Sequence, residues 1–294
     1  MPKHPQSFDQ TTNNQILGIQ AAAVPGRGSQ AAGPLTAPEL LSRLVFTFGR
    51  GTRGKSFWAR WAIDRALNAG RDIVIGDFDR QNQSLRTLYG DARCTVPAGA
   101  EDADVEEGLR DLAEAAMEQP RTGIVDFGAG DTTLRRVSRK LGGFARFLEE
   151  NRVGCTAVHV FGPSLDDLAV LKDLEPQPKA RDELERQGVF APRSTILVLN
   201  EALVPPGSSP ERSYKPLISH PVFQAAVERG AVPVFMPRLD VAREIELKRL
   251  GFIAAEAGQP GPDGTRIGPW NRSLIRTWRQ TMETIHQDVL GWLP

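Results

Sequence analysis

Gly49-Arg50-Gly51-Thr52-Arg53-Gly54-Lys55-Ser56 fits the pattern G-x-x-x-x-G-K-[ST]. The chemistry open to such a run is the holding of a phosphate chain. Small residues let successive backbone N–H groups curl around the phosphates. A helix opening at Lys55 adds its positive end and its unpaired N–H groups. Lys55 supplies a point charge to the outer phosphates, and the Ser56 hydroxyl suits Mg²⁺. Gly49, Gly51, Thr52, Arg53, Gly54, Lys55, Ser56 and Phe57 are the candidate phosphate-loop contacts.

Three carboxylates follow apolar runs: Asp77 and Asp79 after Ile73-Val74-Ile75, and Asp126 after Gly123-Ile124-Val125. Ligands of a doubly wound sheet bind outside the carboxyl ends of its strands. A magnesium nucleotide needs carboxylates there, to hold metal-bound water or to orient an attacking one. Asp126 fits a place behind the metal with Ser56. Asp79 could approach the hydrolytic water. Asp77 could assist the metal or hold a loop.

These residues need a sheet beneath them. Apolar runs at Leu44–Phe48, Ile73–Ile75, Gly123–Asp126, Thr156–Phe161, Thr195–Asn200 and Val232–Phe235 read as strands. Helical spacing between them covers Phe57–Asn68, residues 103–118, Thr132–Glu150, Leu165–Leu174, His220–Arg229 and Val241–Leu250, with a last helix over Trp270–Trp292. Val204–Arg212 and Gly258–Pro269 read as loops, and Cys94 falls in another. Strands apolar throughout, alternating with helices, mean a mostly parallel, doubly wound α/β sheet with helices on both faces. Residues 1–37, rich in Gln, Asn, Gly, Pro and Ala, read as a flexible arm with a weak helix near Ile16–Ala23. Residues 38–294 then form a single domain closed by the C-terminal helix.

The order of these motifs resembles the deviant Walker A ATPases of the ParA/MinD type. Asp77-Phe78-Asp79-Arg80-Gln81 is similar to that family's D-x-D-P-Q segment, and Asp126-Phe127-Gly128-Ala129-Gly130 to its D-x-P-x-G segment. Leu197-Val198-Leu199-Asn200 looks like its strand ending in an adenine-contacting Asn. Phe235-Met236-Pro237-Arg238 with Val241-Ala242-Arg243-Glu244 looks like its I-P-x-x-x-x-V-R-E segment. The resemblance spans about residues 43–252. It implies a P-loop NTPase fold, with ATP and Mg²⁺ as cofactors and weak ATP hydrolysis. It also implies a homodimer formed on ATP binding and an activating partner protein, in plasmid or DNA partition, intracellular positioning or conjugation. Asn200 and Pro237 would then flank the base. Lys55 and Asp79 would act on the phosphates and the water.

Three positions depart from the family pattern. Arg50 stands where the family has a lysine that reaches the partner's phosphates; it could make the same contact across a dimer or be a surface arginine. Arg80 and Gly128 stand where prolines are usual, which leaves nucleotide binding better supported than turnover. A different P-loop enzyme, such as a small-molecule kinase or amidoligase, and a nonhydrolysing scaffold are the alternatives.

Composition bounds the rest. Lys+Arg and Asp+Glu are 36 each, so the balance of zero argues against a protein that coats nucleic acid everywhere and leaves room only for a local patch. Arg135, Arg136, Arg139 and Lys140 form such a patch, able to bind DNA phosphates nonspecifically or to serve as a solvated helix face. Two distant cysteines exclude a disulfide framework. No apolar run spans a bilayer, and no signal peptide is apparent, so a cytoplasmic location is expected. Trp270, Leu274, Trp278, Met282, Ile285, Val289 and Trp292 form an apolar stripe whose polar side mixes both charges. Docking on the domain is expected there rather than membrane contact.

Overall fold

Every strand of the sheet is apolar on both sides, so both faces demand cover. The structure, a computed structural model, describes residues 42–119 and 121–294. The expected arm over residues 1–37 lies outside the described residues. In β1 (Ser42–Phe48), Val45 faces one core, while Leu44, Phe46 and Phe48 face the other. The chain continues through α1 (Lys55–Asn68), β2 (Ile73–Phe78), α2 (Ser84–Tyr89), β3 (Cys94–Thr95), α3 (Asp102–Glu118) and β4 (Thr122–Phe127). It then runs through α4 (Thr133–Leu141), α5 (Phe144–Glu150), β5 (Val153–Phe161), α6 (Leu168–Leu174), α7 (Glu183–Gln187) and β6 (Ser194–Asn200). The last elements are α8 (Pro210–Ile218), α9 (Pro221–Glu228), β7 (Val232–Met236), α10 (Ala242–Leu247), α11 (Phe252–Glu256) and α12 (Pro269–Ile285).

The strands form one sheet in the order β3-β2-β4-β1-β5-β6-β7, and every neighbouring pair is parallel. This is the expected doubly wound α/β class. α1, α10, α11 and α12 cover one face around Trp58, Trp61, Phe252 and Trp278; α3, α4 and α5 cover the other around Leu109, Leu134 and Phe144. α6, α8 and α9 close the β6–β7 end around Phe161, Tyr214 and Phe223. Burying a large apolar side chain fully contributes about 1.5–3 kcal/mol. Trp58 and Trp61, almost wholly buried, therefore make α1 one of the most firmly seated helices.

Several sequence expectations need correction. Cys94 lies on the two-residue edge strand β3, paired with Ile75, and not in a loop. The helix expected over Thr132–Glu150 is two helices, broken where Gly142 and Gly143 take φ of 68° and 125°. The loop expected to reach Arg212 gives way at Pro210 to α8, whose N-cap Ser209 accepts from the Arg212 N–H. α2 and α11 were not expected. The last α-helix ends at Ile285, and Gln287–Trp292 is 3₁₀. Its stripe docks as expected through Trp278, Met282 and Val289, but Trp270 and Leu274 are 78% and 36% exposed and lie off the seam, where Ile275, outside the expected stripe, is buried instead. No described helix is long and apolar enough to cross a membrane.

α12 docks specifically onto α1, the helix that opens at Lys55. The Trp58 indole N–H donates to His286 Nε2 at 3.0 Å, and the His286 ring lies 4.5 Å from that of Trp61. His286 Nδ1 sits 2.9 Å from the Met282 carbonyl, which fixes the proton on Nδ1. Trp278 Nε1 donates to the Pro237 carbonyl at 2.8 Å, tying the same helix to the segment after β7.

Candidate functional site

The loop between β1 and α1 crosses the centre of the sheet's carboxyl edge. Two glycines allow its path. Gly49 has φ of 146°, and a Cβ there would lie 2.5 Å from the Val160 carbonyl oxygen. Gly54 has φ of 96°, and a Cβ there would lie 2.7 Å from Asn200 Nδ2. Thr52 also takes a left-handed φ of 64°. Gly54 is the N-cap of α1 and no side chain caps the helix, so its first-turn N–H groups face the loop without a protein carboxylate. Lys55 is 6% exposed, and its stem runs beside Gly49.

Beneath the loop lies Asp126, wholly buried at the end of β4. Ser56 Oγ donates to Asp126 Oδ2 at 2.5 Å, and Thr47 Oγ1 donates to Oδ1 at 2.5 Å. β1 and β4 pair Thr47 with Asp126 in register, which explains the second contact. Burial pushes the Asp126 carboxyl up; the two hydroxyls and the nearby Lys55 charge oppose that rise. Asp77 stands on the paired rung of β2. Its Oδ2 accepts the Arg86 N–H at 2.8 Å, while the buried Oδ1 has no hydrogen-bond partner. Burial, with the Asp126 charge adding to it, holds its pKa up at about 6. An unpartnered carboxylate oxygen beside a hydroxyl-bearing carboxylate suits a hydrated divalent cation, so the residues present fit Mg²⁺.

Asp79 is half-buried and directly follows β2. Its Oδ1 accepts the N–H groups of Gln81 at 2.9 Å and Asn82 at 3.1 Å, which folds the segment into a tight turn. A Cβ on Gly128 would lie 3.4 Å from Asp79 Oδ1, so the glycine lets the β4 loop pass close.

The structure gives other expected residues different surroundings. The Phe57 side chain packs against Phe252 and Trp278 at 5.0 and 5.4 Å between ring centres, leaving its backbone N–H as its means of meeting phosphate. Asn200 is bound into the loop: Nδ2 donates to the Arg53 carbonyl at 2.8 Å and Oδ1 accepts the Ala202 N–H at 3.0 Å. Pro237 is partly exposed on the neighbouring strand end, next to Arg238, whose Nη2 donates to the Val204 carbonyl. Arg50 is half-exposed and pairs with Asp166 at 3.4 Å and Asp167 at 3.8 Å. Arg53 Nε lies 2.7 Å from Asp167 Oδ2 as an ion pair, off the line of a hydrogen bond. Asp167 was not expected at the site. It is buried, its Oδ2 also accepts the Gly162 N–H at 2.6 Å, and the only sequence trace of it is Asp-Asp after β5.

The basic patch is paired. Arg135 and Arg139 share Glu185 at 2.9 and 3.1 Å; Arg136 and Lys140 share Glu106, and Arg136 also meets Asp102. These carboxylates offset the field that DNA phosphates would need.

The fold is a seven-stranded parallel α/β sheet with the Gly49–Ser56 loop at its carboxyl edge. No family model and no curated protein matches the chain. Among solved structures, it is similar to FtsY of Thermotoga maritima, at 13% identity and a TM-score of 0.42, over 92% of this chain and 76% of that one. It is similar to the MinD cell division protein of Aquifex aeolicus, at 14% identity and a TM-score of 0.41, over 82% and 97%. It is also similar to FtsY of Elizabethkingia anophelis, at 11% identity and a TM-score of 0.40, over 82% of this chain and 66% of that one.

Proposed function

We propose that this protein is a Mg-ATP-dependent dimerising switch of the ParA/MinD type, with slow ATP hydrolysis, that serves DNA partition or intracellular positioning. The observation that carries the reading is the contact of Ser56 with Asp126 under an uncapped, glycine-shaped helix start. Bound Mg²⁺ would neutralise charge on the outer phosphates. Lys55 and the first N–H groups of α1 orient the triphosphate. Asp126 accepts the Ser56 hydroxyl's hydrogen bond and so turns the serine oxygen's lone pairs outward. Asp79, held by its own turn, is the group placed to orient water. Asn200 keeps the Arg53 carbonyl in place and has a second N–H left for a base edge. Arg50, released from Asp166 and Asp167, is the residue that could reach a partner's phosphates.

The test is oligomeric state by light scattering, with and without Mg-ATP. The reading expects a monomer that becomes a dimer with ATP, and no dimer for Lys55→Ala. A wild-type protein whose mass ignores both ATP and GTP would refute it.

One feature favours a second reading, an enzyme with a small co-substrate. A cleft of about 390 Å³ opens beside Ser56, lined by Arg60, Gln83, Thr87, Glu246 and Arg249. Turnover that appears only on adding a metabolite would favour it.

A further inference from the structure

Arg80 stands where the resembling family has proline, and its side chain spans to two neighbouring segments. Nη1 donates to the Ala100 carbonyl at 2.8 Å and to Asp102 Oδ1 at 2.9 Å. Nη2 lies 3.5 Å from Asp131 Oδ2. One guanidinium thus joins its own turn after β2 to two other segments, the loop after β4 and the start of α3. A proline could make none of these contacts, and a lysine has only one nitrogen to share among them.

The Asp131 end is built for this. Its side chain is 4% exposed. Oδ1 accepts the Thr133 N–H at 2.7 Å at the start of α4, whereas Oδ2 has no hydrogen bond and lies beside Arg80. A small polar cleft lies between the two loops, lined by Asp79, Arg80, Gln81 and Gly128–Asp131. Arg80 and Asp131 therefore bridge the gap in which Asp79 and Gly128 approach each other. On the other side Asp102 is shared with Arg136, so the link continues to α4.

We propose that Arg80 is a positioning residue that ties the Asp79 turn to the Gly128–Asp131 loop, so that the two strand-end loops hold one geometry and move together. This rests on the proposed nucleotide function for its consequence, but not for its existence. Ion pairs of a partly exposed arginine add little to global stability, so the tether shows in local motion and in chemistry rather than in melting. Without it, Asp79 keeps its own turn but loses its fixed distance to the β4 loop.

The experiment is hydrogen exchange on the nucleotide-free protein, followed by single-turnover and binding measurements with Mg-ATP. In Arg80→Ala, the amide of Asp131, bonded to the Gly128 carbonyl, should exchange up to about fivefold faster, with core amides of β1 and β4 unchanged. Arg80→Lys should fall between. With nucleotide, the chemical step of Arg80→Ala should slow about tenfold while the ATP dissociation constant stays within about twofold. Unchanged exchange at Asp131 in Arg80→Ala overturns the proposal, as does a loss of affinity that parallels the loss of rate. If the wild type binds no nucleotide, the proposed function fails, and the nucleotide-free exchange comparison still decides the tether.

Discussion

Asp77 and Asp126 occupy the same rung of the β2–β4 ladder, and both are fully buried. Two carboxylates so placed cannot ionise freely without a cation between or beside them. Burial and the Asp126 charge hold Asp77 at about 6, above its usual 3.8. Asp77 therefore binds a proton more readily in the folded chain than in the unfolded one. Its ionisation costs stability as pH rises from about 4 to 6, and the cost persists above that. Asp77→Asn should stabilise the nucleotide-free protein by about 2 kcal/mol at pH 8 and by much less at pH 4. Denaturant unfolding at the two pH values checks this; an equal effect at both would contradict it.

His159 and His286 make the opposite prediction. Burial lowers His159 from 6.5 to about 3 and His286 to about 4. Below pH 6.5 the unfolded chain takes up protons that the folded chain refuses. Stability is full above 6.5 and is lost as pH falls towards about 4 for His286 and about 3 for His159. His159 has no hydrogen-bond partner on either nitrogen and lies 5.1 Å from the Phe48 ring and 6.2 Å from the Phe161 ring. His159→Phe should keep stability at pH 7.5 and flatten the acid limb, read by thermal melts from pH 7.5 to 4.5. An unchanged acid limb would show that His159 does not titrate as its surroundings dictate.

The glycines of the Gly49–Ser56 loop are not equivalent. At Gly54 a side chain meets Asn200 and a left-handed backbone, so Gly54→Ala should cost about 1–3 kcal/mol. At Gly51 an added Cβ would meet only Ala129 Cβ at 3.7 Å, so Gly51→Ala should melt like the wild type. Paired melting curves test this contrast, and equal losses would mean the loop's path is misassigned.

Arg50 and Asp167 separate surface from buried charge. The Arg50 pairs are half-exposed and contribute about 0–1 kcal/mol, so Arg50→Ala should melt normally. Asp167→Ala strands Arg53 and the Gly162 N–H and should cost about 1–3 kcal/mol. If Arg50 acts across a dimer, Arg50→Ala should bind nucleotide normally and fail to dimerise. Normal dimerisation would assign Arg50 to the surface.

The long apolar strands and the loop at Gly49–Ser56 were legible because burial on both faces leaves a continuous apolar run, and a phosphate cradle leaves glycines at fixed spacing. β3 was hidden because two residues cannot show a period. α8 was hidden by Pro216 in its interior and by the Pro/Ser/Gly run before it. The break at Gly142–Gly143 was masked by helical spacing on both sides. At the site, residue types announced Lys55, Ser56 and Asp126. The anchoring of Arg53 by Asn200 and Asp167, and the span of Arg80, depend on loops brought together by strand order, which no local pattern carries.

The central claim is that the Gly49–Ser56 loop holds a magnesium triphosphate above Asp126. Isothermal titration calorimetry of folded protein with Mg-ATP, and separately with Mg-GTP, tests it most directly. The account predicts saturable binding of one nucleotide per chain, strongest for ATP and abolished in Lys55→Ala. No heat of binding for either nucleotide, from protein with an intact melting transition, would contradict it.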